Sequence, residues 1–359
     1  MWAIILKEFR ELRRDPRTLA MLIALPVILL VVFGYAANFD VSDIPTAVVG
    51  PGAREMASRL GAPFDVVEID PAGGVSRVRD YLRDGRAVVG IVTGRTPAVL
   101  LIDGTEQFGA QAALRAFDRM SKTVRAGGQQ AFEVRILYNP GLKTSWIMIP
   151  GLTGLILLFV GTLITSLGIV RERQAGTIEQ LAVMPFRPWD VIIGKIVPYL
   201  LLASLDMVVI VLVGCFLFGV PFVGSIATFS LGAMLFLLVT LGMGILISSV
   251  SQNQGQSIQL AIMFVMPQIL LSGLIFPVSS MAKGVAWIAW ALPLSYFIKI
   301  GRGVMLKGAP LSSLWLPLVV LAGMALVALG LAVARFRRDL APNVRAGPGR
   351  LDDSGPEEA

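Results

Sequence analysis

Histidine is absent from this chain of 359 residues, and cysteine occurs once, as Cys215. The absence of histidine removes the commonest general base and the commonest metal ligand of proteins. A single cysteine permits neither an intrachain disulfide nor a cysteine-based metal cluster. We therefore expect no metal site, and no residues stand out as a catalytic set.

A phosphate-binding loop of the form G-x-x-x-x-G-K-[ST] is also missing. Gly194-Lys195 is followed by Ile196 and begins an apolar run, whereas such a loop follows a soluble strand. If ATP drives this protein, another chain must bind it. Charge is scarce as well, since Asp, Glu, Lys and Arg make up 15% of the residues against 55% hydrophobic residues. An ordinary soluble domain does not have this composition.

Long apolar runs dominate the chain. Each is about 20 residues or longer, the length at which a helix crosses a bilayer. Glycine and proline interrupt several of them, which a helical bundle tolerates. The sequence predicts a membrane all-α bundle of six transmembrane helices, at residues 18–37, 146–170, 190–218, 225–250, 257–278 and 314–334.

Basic residues cluster in three regions beside these runs. Six crossings would place all three regions on one side, which the positive-inside rule makes cytoplasmic. We therefore expect both termini in the cytoplasm, and the net charge of +7 reflects topology rather than nucleic-acid binding. The three regions are the segment from Arg171 to Lys195, the N-terminal group Lys7, Arg10, Arg13, Arg14 and Arg17, and the C-terminal group Arg335, Arg337, Arg338, Arg345 and Arg350.

Residues 1–37 are expected to form an interfacial helix and the first span. Before the apolar run, Trp2, Ile5 and Phe9 fall on one helical face and most basic residues on the other. The alternative is a signal peptide cleaved near Gly34-Tyr35-Ala36. Cleavage would leave five spans and would force a basic region to the outside.

Residues 38–143 have the composition of an ordinary globular domain. Strands alternate with helices there, which predicts a small extracytoplasmic α/β domain inserted between the first two spans. Basic residues in it are no objection, because long domains translocate largely regardless of charge. The predicted strands are Thr46–Val49, Phe64–Ile69, Ala87–Val92 and Ala98–Ile102, and the predicted helices are Ser76–Arg83 and Gln107–Ala126.

The polar segment between the second and third spans is longer than a connection requires. Its apolar positions have helical spacing, and Pro185 and Pro188 follow them. Such a segment is typical of a short amphipathic helix, expected at 171–189, that a soluble partner can contact. Gly176 is expected to mark the break between the span and this helix, with Thr177 as the N-cap of the next turn.

Residues 279–313 are too apolar for a solvated loop, yet prolines and glycines divide them into pieces too short to span. They predict a re-entrant helical hairpin before the last span, with Trp287 and Trp290 at headgroup depth. The hairpin carries basic residues and no acidic one. They either extend towards the phosphates of membrane lipids or contact an anionic substrate. These residues are Lys283, Lys299, Arg302 and Lys307.

Asp206 is the only acidic residue well inside a predicted span. A carboxylate at that depth is unfavourable and should face the bundle interior or a wet cavity. It is a candidate for the substrate path, through binding of a cation or proton coupling. A structural hydrogen bond to a neighbouring helix explains it equally well.

Three motifs in this order resemble the ABC-2 family of ABC-transporter permeases, in particular drug-efflux members with a large extracytoplasmic insert. R-E-R-Q-A-G-T-I-E-Q-L at 171–181 is similar to the family's ATPase-contacting segment, and Y-N-P-G-L-K-T-S-W-I-M-I-P-G at 138–151 is similar to the start of its second span. The third motif runs from L-S-G-L-I-F-P to L-P-L-S-Y-F-I-K-I-G-R-G-V-M-L-K-G. One departure is Met281-Ala282, where the family often has Met-Pro.

The resemblance implies a permease subunit of an exporter in the bacterial inner membrane. It implies an ABC ATP-binding subunit as partner, which would carry ATP and Mg, while this chain binds no cofactor itself. A second permease would complete a homodimer or a paralogous heterodimer, and whether a periplasmic adaptor binds stays open. The ATPase-coupling residues it implies are Arg171, Glu172, Arg173, Gly176, Thr177, Glu179 and Leu181.

The chain is then expected to have four parts. These are the interfacial helix and first span at 1–37, the extracytoplasmic α/β domain at 38–143, the remaining membrane part at 144–335 and a partly disordered cytoplasmic tail at 336–359. Exported compounds would be hydrophobic or amphipathic, drug-like or lipid-like. Two other functions stay open: a mechanotransmitting or sensory membrane protein coupled to an ATPase without a translocation path, and a lipid or polysaccharide exporter of the same superfamily.

Overall fold

The computed structural model describes residues 43–124, 132–176, 188–278, 281 and 283–340. The predicted interfacial helix and first span, most of the coupling helix and most of the tail lie outside the described residues. The first five residues of the predicted tail, 336–340, continue the last helix. What is described divides into an α/β domain and a bundle of apolar helices.

The α/β domain contains a five-stranded sheet in the order β2-β1-β3-β4-β5. β4 runs antiparallel to β3, and every other neighbouring pair is parallel. Strand bounds are β1 Ile44–Val49, β2 Phe64–Asp70, β3 Val89–Val92, β4 Ala98–Asp103 and β5 Phe132–Leu137. Helix bounds are α1 Ala53–Arg59, α2 Val75–Arg83 and α3 Gln107–Val124.

Both faces of the sheet are covered. On one face, Ile44, Val48 and Ile91 pack with residues of α1 and α3, including Phe117. On the other, Ala47 and Val49 pack with Val78, Tyr81 and Leu82 of α2. The central strands β1, β3 and β4 are apolar apart from Thr46 and Asp103, because both of their faces are buried.

Four of the strands and two of the helices agree with the sequence prediction to within a few residues at each end. β5 and α1 were missed. β5 has the sequence F-E-V-R-I-L and a largely exposed middle, because it is an edge strand paired only with β4. α1 is seven residues long and buries only Ala53 fully, so it has almost no apolar period.

The membrane part begins with a helix that has three sections: α4 Thr144–Phe159, a π-helical turn Val160–Ile164 and α5 Thr165–Gln174. The remaining helices are α6 Pro188–Phe218, α7 Ile226–Val250, α8 Gln254–Leu271, α9 Lys283–Ala286, α10 Pro293–Met305 and α11 Leu311–Leu340, with a 3₁₀ turn at Trp287–Ala291.

Within the described residues, four helices are long and apolar enough to cross a membrane: Thr144–Gln174, Ile196–Phe218, Ile226–Val250 and Leu311–Arg335. They correspond to four of the six predicted spans. The predicted span 18–37 lies outside the described residues. The predicted span 257–278 corresponds to α8, which is not among the four and ends at Leu271, before a turn with Gly273 at φ 86°.

The segment Gly284–Ala291, which comprises most of α9 and the 3₁₀ turn, meets α10 at a bend of 75°, as in a broken span or a re-entrant loop. The bend lies at Leu292, which is extended, and Pro293 occupies the first position of α10. A residue before proline is disfavoured in the helical region, and proline suits a helix start because it has no N–H to satisfy. Pro293 thus produces the predicted break at this point.

α7 lies at the centre of the bundle and packs through small residues. A Cβ on Gly232 would meet Ile300 at 2.8 Å, and one on Gly244 would meet the carbonyl oxygens of Gly161 and Thr162 at 2.9 Å. Close approach at small residues is a usual way for helices to associate in membranes. Beside them, the rings of Phe236 and Phe297 stack with centroids 4.7 Å apart.

Candidate functional site

The α/β domain rests on the segment from α9 to α11, and three of the predicted basic residues lie at that boundary. Ser313 Oγ donates to Asp84 Oδ1 at 2.6 Å. At the start of α4, Gln107 Nε2 donates to Thr144 Oγ1 at 3.0 Å. The domain and the bundle therefore meet through polar contacts rather than through an apolar core.

Lys307 lies between α10 and α11 and reaches into the α/β domain. Its ammonium group pairs with the carboxylate of Asp103 at the end of β4 and donates to the Leu82 carbonyl oxygen at 2.9 Å. It also lies 5.8 Å from the ring centroid of Tyr138. Asp103 is held in turn by Thr105, whose N–H and hydroxyl donate to its Oδ1 at 2.9 and 2.7 Å.

Tyr138 follows β5 and forms one wall of this contact. Its hydroxyl donates to the Arg79 carbonyl oxygen at 3.2 Å. Burial, reinforced by the negative charge of Asp103, raises the pKa of Tyr138 to about 12. The phenol therefore stays neutral at ordinary pH and acts as a hydrogen-bond donor.

Arg302 and Lys299 lie on α10. Arg302 donates from Nε to the Ile147 carbonyl oxygen at 3.3 Å and from Nη2 to that of Gly273 at 3.4 Å. It thereby joins α10 to α4 and to the turn after α8. Lys299 Nζ lies 5.0 Å from the ring centroid of Trp290 and 5.9 Å from that of Tyr296, a cation–π arrangement.

Lys299, Arg302 and Lys307 line the same two cavities between the domain and the bundle. The structure therefore brings together three of the four basic residues singled out in the hairpin. Lys283 begins α9, and its side chain lies outside the described part of the chain.

Two carboxylates at this boundary were not predicted. Asp103 ends a buried strand in the sequence D-G-T, which is a turn signal, and Glu106 follows three residues later. The position of an acidic residue at a strand end was visible in the sequence. Its pairing with Lys307 could not be predicted, because the two residues are 204 positions apart in the chain.

The predicted coupling segment starts in the last turn of α5, at the other end of the long helix Thr144–Gln174 from the α/β domain. The helix ends at Gln174, and Gly176 follows with φ 73°, a conformation that favours glycine. Arg173 Nη1 donates to the carbonyl oxygens of Ser248 and Ser251, both at 3.2 Å. Gln254 Nε2 donates to Gln174 Oε1 at 2.9 Å. These bonds fasten the end of α5 to the turn between α7 and α8.

Arg171 and Glu172 lie on the same last turn of α5. Arg171 is exposed, and Glu172 is partly buried. The remaining predicted coupling residues, Thr177, Glu179 and Leu181, lie outside the described residues, so their role stays a prediction.

Asp206 lies in the middle of α6 and is partly buried. Among the described residues, no hydrogen bond or ion pair to its carboxylate is found. α6 also exposes a broad apolar surface, including Leu205 and Val209 beside Asp206. Whether the carboxylate binds substrate or packs against another helix stays a prediction.

Comparison with known proteins agrees with this architecture. The sequence profile of the family described as "ABC-2 family transporter protein" matches residues 16–334. The chain is 29% identical over 364 residues to the probable multidrug ABC transporter permease YbhR of Escherichia coli K12, covering 94% of this chain and 98% of that protein.

It is 28% identical over 364 residues to the probable multidrug ABC transporter permease YbhS of the same organism, covering 94% and 97%. A shorter match, 29% identical over 219 residues, covers 58% of this chain and 56% of the inner membrane transport permease YhhJ. The family profile covers most of the chain, including both sides of the α/β domain. This chain belongs to the ABC-2 family of transporter proteins and is a multi-pass membrane permease of the ABC type, whose ATP hydrolysis takes place on separate ATPase subunits.

Proposed function

We propose that this permease exports hydrophobic or amphipathic compounds, drug-like or lipid-like, from the cytoplasm or the inner leaflet of a bacterial inner membrane. Two ATP-binding subunits drive it, and a second permease, identical or paralogous, completes the pore. ATP and Mg are bound by the ATPase partners. The chain crosses the membrane six times with both termini in the cytoplasm, so the α/β domain lies outside.

One helix is the main support for this proposal. Thr144–Gln174 is an apolar helix of 31 residues, and its two ends contact different parts of the protein. At its start, Gln107 contacts Thr144, and Arg302 contacts the Ile147 carbonyl oxygen. At its end, Arg173 contacts the turn between α7 and α8.

Such a helix can carry a displacement from an ATPase at the cytoplasmic end to the α/β domain at the other. Its middle contains the π-helical turn Val160–Ile164, the kind of local irregularity at which functional helices often bend. The names of two relatives supply the substrate class, since both are described as probable multidrug permeases.

Charge reversal in the coupling segment tests the link to the ATPase. We expect Glu179→Lys to insert and fold normally but to lose both co-purification with the ATPase and ATP-driven export, because its charge would face a site that accepts a carboxylate. Glu55→Lys is the matched control, an exposed glutamate on α1 of the α/β domain. Normal assembly and normal export in Glu179→Lys would remove this segment from the mechanism.

Thiol labelling tests the topology separately. In a Cys215→Ser background, Ser58→Cys in the α/β domain and Ser354→Cys in the tail should react oppositely with an impermeant reagent applied to spheroplasts. Ser58 is exposed on α1, so its reactivity depends on the side of the membrane alone. Equal labelling of the two cysteines would contradict the six-span arrangement.

A further inference from the structure

A partly open cavity lies between the α/β domain and the segment from α9 to α10. It has a volume of about 250 Å³. Trp290 and Tyr296 contribute aromatic surface, and the charged and hydroxyl-bearing residues of the lining are Asp103, Glu106, Ser272, Ser295, Lys299, Arg302 and Lys307. A second cavity of about 530 Å³ shares Glu106, Lys299, Arg302 and Lys307 with it. The two cavities therefore meet around the same charged groups.

Two buried hydroxyl groups in the lining have no partner. Ser272 is 3% exposed and Ser295 is 5% exposed. Neither Oγ has a hydrogen-bond partner among the described residues. Buried hydroxyl groups are usually hydrogen-bonded, since leaving one unpaired is unfavourable. Both serines line the cavity, and rotation about the Cα–Cβ bond can turn either hydroxyl group towards a molecule bound there.

The charges that line the first cavity do not cancel. The positive groups are Lys299, Arg302 and Lys307, and the negative groups are Asp103 and Glu106. Three positive charges against two negative charges leave one positive charge in excess. Because Lys307 is occupied by Asp103 and the Leu82 carbonyl oxygen, the excess resides on Lys299 and Arg302.

Both of these cations keep donors for a ligand. Arg302 has five N–H donors, of which the two bonds to Ile147 and Gly273 use a minority. Lys299 contacts aromatic rings, and no ion pair to it is found in the described part of the chain. A guanidinium and an ammonium group beside unpaired hydroxyls form a donor set suited to the oxygens of a phosphate group.

We infer that this cavity binds a singly charged phosphodiester, which Lys299 and Arg302 neutralise and the hydroxyls of Ser272 and Ser295 contact. The group comes either from the headgroup of a phospholipid or from a water-soluble phosphodiester. The inference rests on the proposed function in one respect, because the proposed topology places the cavity on the outer side of the membrane. Trp290, which lines the cavity, is 60% exposed, and Trp287 at the start of the same 3₁₀ turn is 64% exposed. Both offer apolar surface to the acyl chains of a lipid.

Lipid retention by the delipidated, full-length permease tests the inference. The protein in a neutral detergent is given phosphatidylglycerol or phosphatidylcholine with identical acyl chains, and bound lipid is counted by native mass spectrometry. We expect preferential retention of phosphatidylglycerol, because the choline cation of the other lipid would meet Lys299 and Arg302. Lys299→Gln should reduce this preference about tenfold, the effect of losing one charge-assisted hydrogen bond.

Arg95→Gln is the control for the loss of one positive charge, because Arg95 is an exposed cation of the α/β domain and lines neither cavity. Arg302 also holds backbone groups of two elements, so its replacement can disturb the fold. The double variant Ser272→Ala with Ser295→Ala avoids this problem. Removal of two unpaired hydroxyls should leave thermal stability unchanged or higher while phosphatidylglycerol retention falls.

Dimethyl phosphate distinguishes the two sources. Displacement of phosphatidylglycerol by this soluble phosphodiester shows that the anionic group alone suffices, whereas retention of lipid against it shows that the acyl chains are needed. Equal retention of the two lipids by the wild type would overturn the inference. The inference would also be overturned if Lys299→Gln and the double serine variant retained as much phosphatidylglycerol as Arg95→Gln does. No ATPase or ATP is present, so a negative result here is independent of ATP-driven export.

Discussion

Lys307 and Asp103 form a buried ion pair across the boundary between the membrane bundle and the α/β domain. Their side chains are 9% and 1% exposed. The pair lies in the short connection between α10 and α11 on one side and at the end of β4 on the other. The α/β domain is thereby tied to the bent segment that carries Lys299 and Arg302, and the two parts should move together.

Loss of one partner of this pair should be strongly destabilising. Lys307→Met leaves the carboxylate of Asp103 buried and uncompensated, with an expected cost of about 3–5 kcal/mol. Thermal or chemical unfolding of the full chain in detergent measures it. The double variant Lys307→Met with Asp103→Asn should recover most of the loss, because a neutral amide needs no counter-charge. Single variants that unfold like the wild type would show that the pair does not hold the domain.

The phenol of Tyr138 should titrate late. Its pKa is raised from 10.0 to about 12 by burial and by the charge of Asp103. Between these values the unfolded chain releases the proton and the folded chain keeps it, so this contribution to stability is present below pH 10 and is lost as pH rises towards 12. The difference between the tyrosinate absorbance titrations of wild type and Tyr138→Phe measures the midpoint.

The double variant Lys307→Met with Asp103→Asn provides the control for that titration. It removes the negative charge of Asp103 without leaving Lys307 unpaired, and the burial remains, so the midpoint of Tyr138 should fall while staying above 10. A titration midpoint of Tyr138 near 10 in the wild type would mean that the phenol is solvated and that water enters the boundary between the α/β domain and the bundle.

The π-helical turn should tolerate no added volume. A Cβ on Gly161 would lie 2.1 Å from Thr240 Oγ1 and 2.8 Å from its Cβ, and Thr240 is fully buried. We expect Gly161→Ala to destabilise the protein by about 1–3 kcal/mol through overpacking. Gly323→Ala is the control, since nothing lies within 4 Å of the added methyl group. It should be neutral or stabilising by up to about 1 kcal/mol. Equal stability of the two variants would contradict this packing.

Asp206→Asn separates a packing role from a binding role. The change keeps shape and hydrogen-bonding capacity but removes the charge. If the carboxylate binds cationic compounds, their export should fall about tenfold, which corresponds to roughly 1.4 kcal/mol of binding, while neutral compounds and ATP hydrolysis are spared. A packing role predicts little change, because polar contacts between membrane helices average about 0.6 kcal/mol. Transport of one cationic and one neutral dye decides between them, and an equal effect on both ends the binding hypothesis.

Much of the fold was predictable because the signals are local. The apolar runs, the strands buried on both faces and the break at Pro293 all depend on neighbouring residues. Gly176 is a similar case, since a glycine after a helical pattern predicts a helix end. The four candidate spans and the central strands agree with the sequence prediction for this reason.

The boundary between the domain and the bundle was only half predictable. Four basic residues without acidic neighbours stood out in the hairpin, and three of them meet around the cavities. The partners of these residues come from distant parts of the chain, as the pairing of Lys307 with Asp103 shows. Ser272 and Ser295 could not be singled out in the sequence, because isolated serines are common in apolar membrane segments.

Our main proposal is that this chain forms a translocation path driven by ATP on another subunit. Inside-out vesicles that contain the permease and its ATPase partner provide the decisive test, with uptake of a lipophilic dye and ATP hydrolysis recorded together. We expect dye uptake that requires ATP and disappears with a hydrolysis-deficient ATPase. ATP hydrolysis that responds to the dye without any uptake would refute transport and would identify the chain as a transmitter of conformational change.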